Sequence, residues 1–137
     1  MQLAAQDFIP HQAPMVFVDH IVEFGEDFAV AELLISTKLM FCEPQGLPTW
    51  SSVELMAQTV SSFAGLKTHQ LGLKPKIGYL LGTRKLALPM SHFEIGTVVR
   101  IRAQQQYLHD GLGHFSCEIE YAGHQITATL NVYEPVA

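Results

Sequence analysis

Charged residues are scarce in this sequence, and their scarcity excludes several classes of protein. They make up 15% of the 137 residues, whereas hydrophobic residues make up 48%. A chain of this composition is not intrinsically disordered, because disorder requires low hydrophobicity and high charge. The net charge of -5 gives no nucleic-acid signature, since phosphate binding needs a basic surface. We therefore expect one compact domain over residues 1–137.

Cysteines, targeting segments and cofactor motifs are also rare or missing. Cys42 and Cys117 are isolated from each other in the sequence, which favours reduced thiols in a cytoplasmic protein. Residues 1–14 have neither a basic start nor an apolar core, unlike a secretory signal peptide, and the polar residues within 50–66 argue against a membrane span. The sequence has no HExxH motif, no Cys/His pair at ligand spacing, no glycine-rich phosphate loop and no GxSxG. We therefore expect chemistry without a metal or a cofactor.

The residues that are present predict an antiparallel sheet around one long helix. Residues 15–24 and 28–36 are rich in β-branched and aromatic residues, which favours two strands, and residues 50–66 form the most helix-like segment. A further strand is predicted within residues 76–88. The period-two alternation after it predicts three more strands, joined by turns at 109–113 and 122–124. This order is typical of an α+β layer architecture.

Glu54 is the only charged residue between Pro44 and Leu66, and it lies within the predicted helix. With about 3.6 residues per turn, apolar residues form one broad face with Glu54 at its flank. The opposite side carries no charge either, so the helix is expected to be buried. A lone carboxylate there must be paired or held protonated, which makes Glu54 a candidate functional residue. The apolar face comprises Trp50, Val53, Met56, Ala57, Val60, Phe63 and Ala64, and the opposite side comprises Leu55, Thr59, Ser62 and Leu66.

The ends of this helix are marked by residues that commonly cap helices. The hydroxyl groups of Thr49, Ser51 and Ser52 follow a proline and are plausible N-terminal caps. Gly65 and Gly72 are both able to end the helix.

Three short motifs, in this order and at this spacing, resemble the hotdog-fold 3-hydroxyacyl-acyl carrier protein dehydratases. Residues 8–19 (FIPHQAPMVFVD) resemble the opening LPHRxPFLLVD of that family, residues 53–58 (VELMAQ) resemble its EAMAQ helix motif, and residues 88–96 correspond to its RPVxPGD turn. The wider pattern PHxxPM…PxWxxxExMAQ…GxLxGxR looks closer to a divergent branch, the predicted dehydratases of aryl-polyene and related biosynthesis. The resemblance covers nearly the whole chain. It implies the hotdog fold and a dimer, of identical chains or with a related hotdog subunit, with the active site at the interface.

The resemblance implies an enzyme that dehydrates a 3-hydroxyacyl thioester, carried on acyl carrier protein, to the trans-2-enoyl thioester. This reaction needs a base at C2, an acid for the departing hydroxyl group and a donor for the thioester oxygen. Glu54 is predicted to be the acid, because a carboxyl group in a low-dielectric site can hold a proton to donate. The structural alternative is a carboxylate that pairs with Arg84 or caps a backbone group.

The sequence departs from the family at the position of the catalytic histidine. The family motif HFPGxPxMPG begins with that histidine, and this chain has Met40 there. We predict His11 as the base, because Pro10 and Pro14 restrict its backbone and an imidazole titrates near neutral pH. The alternative for His11 is a hydrogen bond that orders its loop. Among the other histidines, His20 is predicted to be partly buried on a strand, His69 follows the helix, His92 lies in a turn, and His109, His114 and His124 are predicted to be solvated.

Five residues are predicted to bind the substrate. The resemblance places the thioester-oxygen donor at Thr49, and the N-terminus of the helix at Thr49 and Trp50 offers backbone N–H groups for this purpose. Gln58 is expected to position the groups around Glu54. Leu81 and Gly82 belong to the GxLxGxR segment. Small residues on the helix could let an acyl tail or another chain pass, or could simply pack tightly; they are Ala57, Ser61, Ala64 and Gly65.

Two alternative functions remain open, and one cluster of cations bears on the choice of partner. An acyl-thioester hydrolase on the same fold is one alternative. The other is a non-catalytic subunit that binds acyl carrier protein or pairs with an active dehydratase, which Met40 favours. Five of the eight cations fall in one region and could receive an acidic partner such as a carrier protein, or could be a solvated loop; they are Lys67, Lys74, Lys76, Arg84 and Lys85.

Overall fold

The computed structural model describes residues 3–9, 15–72, 79–84 and 86–133. In these residues the chain forms one long α-helix and nine β-strands, with short 3-10 turns at Ala5–Asp7 and Thr49–Ser51. The helix is α1 (Ser52–Gln70). The strands are β1 (Leu3–Ala4), β2 (His20–Phe24), β3 (Phe28–Leu34), β4 (Leu47–Pro48), β5 (Tyr79–Arg84), β6 (His92–Phe93), β7 (Val98–His109), β8 (Leu112–Tyr121) and β9 (His124–Tyr133).

Seven of the strands form one antiparallel sheet in the order β1-β2-β3-β7-β8-β9-β5. The helix packs against β3, β7 and β8 in the middle of this sheet. β4 and β6 form a separate two-stranded ribbon, in which Pro48 pairs with His92 directly before the helix begins. The predicted α+β architecture, an antiparallel sheet around one long helix, is confirmed.

The last three strands follow the predicted alternation. Every second residue is buried in the first half of β7, through most of β8 and in the middle of β9, as Ile101, Ile119 and Leu130 show. Both connecting turns are two residues long, Asp110–Gly111 and Ala122–Gly123, and all four residues have positive φ angles between 49° and 81°. Paired positive φ angles are typical of type I′ turns, whose twist matches that of the flanking strands. The first turn is therefore shorter than the predicted 109–113 segment.

The first predicted strand begins later than the sequence pattern indicates. Its apolar run starts at Met15, but β2 starts at His20. The reason is that the N–H groups of Phe17 and Val18 donate to a side chain of the helix, the Gln58 Oε1, at 2.8 and 3.4 Å. For these two N–H groups the Gln58 side chain takes the place of a neighbouring strand. Gln58 lies 41 positions from Phe17 in the sequence, so local sequence contains no signal for the contact.

The two faces predicted for the helix are partly exchanged. Leu55 and Leu66, on the side opposite the predicted apolar face, are buried in the core. The hydroxyl groups of Thr59 and Ser62 are buried beside them and donate to the carbonyl oxygens of Leu55 and Gln58 at 2.9 and 2.8 Å. Because these hydroxyl groups are satisfied within the helix, they face the core at little cost. In contrast, Trp50 is 59% exposed and Val53, Ala57 and Ala64 are half-buried, so the helix opens along the side that carries Glu54.

The hydroxyl groups predicted as N-terminal caps of the helix do not act as caps, whereas Gly72 follows the helix end as predicted. Ser51 occupies the N-cap position without a side-chain cap bond, and its hydroxyl group donates to the Pro48 carbonyl oxygen at 2.7 Å. The Thr49 hydroxyl group donates to the Met90 and Ser91 carbonyl oxygens at 2.6 and 3.2 Å, which ties the start of the helix to the ribbon. At the other end, Gly72 adopts a φ of 73° two residues after the helix and its N–H donates to the His69 carbonyl oxygen.

The two cysteines are free thiols. Cys117 is buried in β8, and burial raises the pKa of its thiol to about 12, so it stays protonated at neutral pH. Cys42 is half-buried in the segment that precedes β4. In the part of the chain described, no helix has the length and hydropathy needed to cross a bilayer.

Gly65 lies inside the helix, where a side chain has no room. A Cβ atom at this position would overlap the carbonyl oxygen of Phe8, so the N-terminal segment can approach α1 only because residue 65 is glycine. We predict that Gly65→Ala lowers the free energy of unfolding by about 1–3 kcal/mol, although alanine favours a helix by about 1 kcal/mol.

Denaturant unfolding of Gly65→Ala beside Gly82→Ala tests this prediction. A Cβ atom at Gly82 meets open space, so Gly82→Ala should stay within about 0.5 kcal/mol of the wild type. A Gly65→Ala variant as stable as the wild type would contradict the close approach.

Candidate active site

Glu54 lies in the first turn of α1, half-buried, on the side where the helix opens. It lines a cavity of about 850 Å³ that continues along the helix. The helix contributes the small side chains of Ala57, Ser61 and Ala64 to this cavity and, three residues after Ala64, the side chain of Lys67. The facing wall has apolar side chains from β5, β7, β8 and β9, namely Leu80, Leu108, Phe115 and Val132, and polar ones from Glu26, Asp27 and Gln105. The cavity therefore joins a carboxyl group to a long, mainly apolar space.

Gln58 connects Glu54 to the segment that precedes β2. It lies one helical turn after Glu54, is 0% exposed, and its Nε2 donates to the Glu54 Oε1 at 3.1 Å. The same Nε2 donates to the Met15 carbonyl oxygen at 2.6 Å, while the Oε1 accepts the Phe17 and Val18 N–H groups. The prediction that Gln58 positions groups around Glu54 thus has a definite geometry, and its contact with a substrate stays a prediction.

The proposed oxyanion donor at Thr49 needs correction. Thr49 is buried, and its N–H donates to the Ser91 carbonyl oxygen at 2.9 Å, which extends the β4–β6 ribbon by one bond. This N–H is therefore not available for a thioester oxygen. Trp50, the next residue, has an exposed side chain one turn before Glu54, and first-turn N–H groups generally lack intrahelical acceptors. The role of Trp50 as a donor stays a prediction.

Leu81 and Gly82 lie on β5, at the outer edge of the sheet. Leu80 pairs with Val132 and Gly82 pairs with Asn131, so Leu81 is the extra residue of a β-bulge and is 59% exposed. Of this strand, Leu80 lines the cavity beside the helix. The cavity-lining residue of β5 is thus Leu80, a neighbour that the sequence motif did not select, and the substrate contacts of Leu81 and Gly82 stay a prediction.

Met40 lies on the surface, in the irregular segment before β4, and is 38% exposed. The next residue, Phe41, has a φ of 74°, which is unusual for a bulky side chain. Its ring lies 5.3 Å from the Trp50 ring and 5.9 Å from the Phe17 ring. Aromatic packing thus holds this segment against the start of the helix, and Met40 supplies no proton-transfer group there.

The histidines are dispersed, and the one predicted as the base, His11, lies outside the described residues. His69, His109 and His124 are exposed, and so is His20 on β2, although it was predicted to be partly buried. His114 differs from its prediction, because it is half-buried and its Nδ1 lies 2.7 Å from the Asn131 Oδ1. His92, predicted only as a turn residue, has its Nε2 2.7 Å from the Glu43 Oε1 and its Nδ1 2.9 Å from the Ser91 Oγ. This contact holds the irregular segment before β4, which contains Met40 and Glu43, against β6. The local sequence contains no signal for it.

The cationic cluster is only partly described. Lys67 is half-buried at the far end of the cavity, with its Nζ 5.6 Å from the centre of the Phe63 ring. Arg84 is exposed at the end of β5. The other three cations, Lys74, Lys76 and Lys85, lie outside the described residues.

Comparison with known proteins identifies the family. The model of the ApeP-like family, described as ApeP dehydratase, matches residues 3–137, so the chain belongs to this family of dehydratases. A chain of the dehydratase heterocomplex ApeI:P from Xenorhabdus doucetiae is 26% identical and superimposes with a TM-score of 0.90, over 98% of this chain and 92% of that one. Among curated proteins the search finds no match. The predicted family and hotdog fold are confirmed.

More distant structures share the fold. A thioesterase mutant from Staphylococcus aureus has 18% identity and a TM-score of 0.62, with 85% of this chain and 92% of that chain covered. A hypothetical thioesterase with coenzyme A from Streptococcus pneumoniae has 15% identity and a TM-score of 0.60, with 83% of each chain covered. At these identities the likeness concerns the fold alone.

Proposed function

We propose that this protein removes water from a 3-hydroxyacyl thioester on acyl carrier protein and yields the trans-2-enoyl thioester without a cofactor. The observation that carries the proposal is the position of Glu54, which lines the cavity of a chain that belongs to a dehydratase family. In the proposed reaction a base takes the C2 proton, the electrons of that bond form the C2–C3 double bond, and the C3–O bond breaks. Glu54 gives its proton to the departing hydroxyl group, which leaves as water.

The shape of the cavity fits a fatty-acyl or polyketide-like chain. Glu54 and Lys67 both line it, and a rise of about 1.5 Å per helical residue separates them by about 20 Å. Apolar walls between these two residues favour burial of an acyl chain, while the small side chains of Ala57, Ser61 and Ala64 leave space beside the helix. Of the two explanations for the small residues, passage of an acyl tail suits these three, whereas Gly65 serves packing.

His11 is proposed as the base on its residue type and its place in the PHxxPM motif, because an imidazole can take a proton near neutral pH. The segment that follows this motif is held at the candidate site: the Met15 carbonyl oxygen and the Glu54 Oε1 both accept from the Gln58 Nε2.

A second candidate function, that of one subunit in a heterodimeric dehydratase, is favoured by Met40. This chain has no proton-transfer group at the position of the family histidine, and a related hotdog subunit could supply one. The similar structure from Xenorhabdus doucetiae is a chain of a heterocomplex. In the described residues, β5 pairs with β9 on one side only and exposes Leu80 and Leu81. An unpaired apolar edge strand is a suitable surface for a strand of another subunit.

We predict that Glu54→Gln lowers kcat for dehydration by about 100- to 10,000-fold, because glutamine cannot donate the proton. The rate is measured on a 3-hydroxyacyl-carrier protein, with the chain alone and with a related hotdog subunit. Glu120→Gln, an exposed change on β8, is the matched control and should retain activity. An active Glu54→Gln protein would remove Glu54 from the mechanism.

For His11, we predict that replacement by alanine lowers kcat by about 100-fold or more, since the C2 proton then has no base. His124→Ala, an exposed change in the last hairpin, serves as the control. If His11→Ala keeps the wild-type kcat in the presence of the partner subunit, the base belongs to the partner and the second candidate function is correct.

The edge of β5 generates a prediction about assembly. Leu81→Lys should weaken subunit association by about 10-fold or more, because a charge on an edge strand opposes pairing with another strand. Size-exclusion chromatography with light scattering measures the change, in parallel with Leu34→Lys, an exposed leucine on the interior strand β3. Equal association of the two variants would show that β5 is not the interface.

A further inference from the structure

Phe41 has a backbone conformation that bulky residues rarely adopt, and the contacts around it hold that conformation in place. A φ of 74° raises the free energy of any residue with a Cβ atom. After Phe41, Glu43 and Gly46 exchange two backbone hydrogen bonds of 2.8 and 2.9 Å. Across Phe41, the Cys42 N–H donates to the Leu39 carbonyl oxygen at 3.1 Å. A strained residue that its neighbours fix in this way points to a function for its side chain.

The strain at Phe41 serves an exposed surface and not the core. Phe41 is 44% exposed, and its ring centre lies 5.3 Å from that of Trp50, which is 59% exposed. On the core side of Phe41 lies Phe17, which is 1% exposed, with the two ring centres 5.9 Å apart. Phe41 and Trp50, here called the aromatic pair, therefore present two rings to a molecule that approaches the start of the helix.

Glu54 lies between the aromatic pair and the cavity. Trp50 precedes it by about one helical turn, whereas the cavity continues from Glu54 towards the C-terminal end of α1. In the proposed function Glu54 acts at C3 of the substrate, so C4 and the rest of the acyl chain extend to one side of it. The thioester group, and the arm that joins it to the carrier protein, extend to the other side.

The chemistry of the arm decides between these two directions. A carrier arm is a pantetheine chain, which contains amide groups and ends in a phosphate group. In the cavity its amide groups would face Leu80, Phe115 and Val132 and would lose their hydrogen bonds with water. An acyl chain has no such bonds to lose and is stabilised by burial there. Over the exposed aromatic pair the amide groups stay hydrated, while the methylene groups between them contact the rings.

Charge favours the same assignment. Among the described residues, Glu26, Asp27 and Lys67 line the cavity, so a phosphate group there would meet more carboxylates than ammonium groups. In the irregular segment that carries Phe41, Lys38 is exposed and the carboxylate of Glu43 is bonded to a histidine ring. The phosphate end of the arm therefore meets less repulsion on the side of the aromatic pair.

We propose that the aromatic pair binds the carrier arm of the thioester substrate and so sets the direction in which the acyl chain enters the cavity. The inference rests on the proposed function, in which Glu54 acts at C3. It gives the side chain of Trp50 a role in binding that is separate from any role of its backbone N–H. The strained backbone of Phe41 brings the second ring of this surface against Trp50.

Substitution of Trp50 gives a kinetic prediction. Trp50→Ala keeps the backbone N–H but removes the ring, so KM for a 3-hydroxyacyl-carrier protein should rise about 10-fold while kcat stays within about threefold. Trp50→Phe keeps an aromatic ring and should hold both constants within about threefold of the wild type. Ile95→Ala, an exposed apolar change between β6 and β7, is the control. An unchanged KM in Trp50→Ala, or a rise that weaker subunit association in light scattering accounts for, would overturn the role given to the ring.

Fluorine-19 NMR tests the direction of the substrate without any reaction. Trp50 is the only tryptophan, so 5-fluorotryptophan in this chain gives one resonance, also in a complex with a related hotdog subunit. The probes are octanoyl-pantetheine and the S-methyl thioester of octanoic acid, which has the same acyl chain but no arm. Neither has a 3-hydroxyl group, so neither loses water. We predict that octanoyl-pantetheine shifts the resonance and that the methyl thioester leaves it in place.

Every result of this titration bears on the proposal. Equal shifts with both probes would place the acyl chain over Trp50 and overturn it, and so would the absence of a shift with either probe. Because the probes do not react, the outcome is independent of dehydration. A shift confined to octanoyl-pantetheine, in a protein that dehydrates no 3-hydroxyacyl-carrier protein, would refute the proposed reaction and support the binding surface for the arm.

Discussion

A buried amide must find all its hydrogen-bond partners within the protein, and in this molecule that constraint falls on Gln58. Its partners are three backbone groups of residues 15–18 and the carboxyl group of Glu54. Satisfying them stops the first apolar run from pairing as a strand before His20 and holds it against the helix instead. The fold and the candidate site thus depend on the same four bonds. A change that relieved one of them would leave a desolvated group in the core.

The periodic parts of the fold could be predicted from the sequence, because alternation and turn chemistry are local. The strands β7, β8 and β9 and the long helix belong to this class. The orientation of the helix could not be predicted in the same way, since Thr59 and Ser62 look polar in the sequence but satisfy their hydroxyl groups within the helix. Their burial turns Leu55 and Leu66 inward and leaves the Glu54 side open.

The sequence motif led to a residue that lines the cavity, but it could not predict contacts that depend on distant segments. Glu54 lines the cavity, as its motif indicates. Thr49 fails as a donor because the ribbon with β6 takes its N–H, and that ribbon joins residues more than forty positions apart. The lining residue Leu80 and the contact of His92 with Glu43 likewise depend on the register of distant strands.

The missing histidine at Met40 makes assembly part of the chemistry. Phe41, packed between Phe17 and Trp50, keeps this segment beside the helix start although it has lost its proton-transfer group. In the proposed function Glu54 is the acid and Met40 stands at the position of the family histidine, so another segment or another subunit supplies the base. The proposed function therefore links Glu54 to subunit association at the exposed edge of β5.

The most direct measurement is intact-mass spectrometry of a 3-hydroxyacyl-carrier protein incubated with this chain, both alone and together with a related hotdog subunit. The account predicts that the acyl-carrier protein loses one molecule of water and keeps its thioester bond. Release of the free carrier thiol would show a hydrolase instead. An unchanged substrate under both conditions would contradict the assignment of a dehydratase.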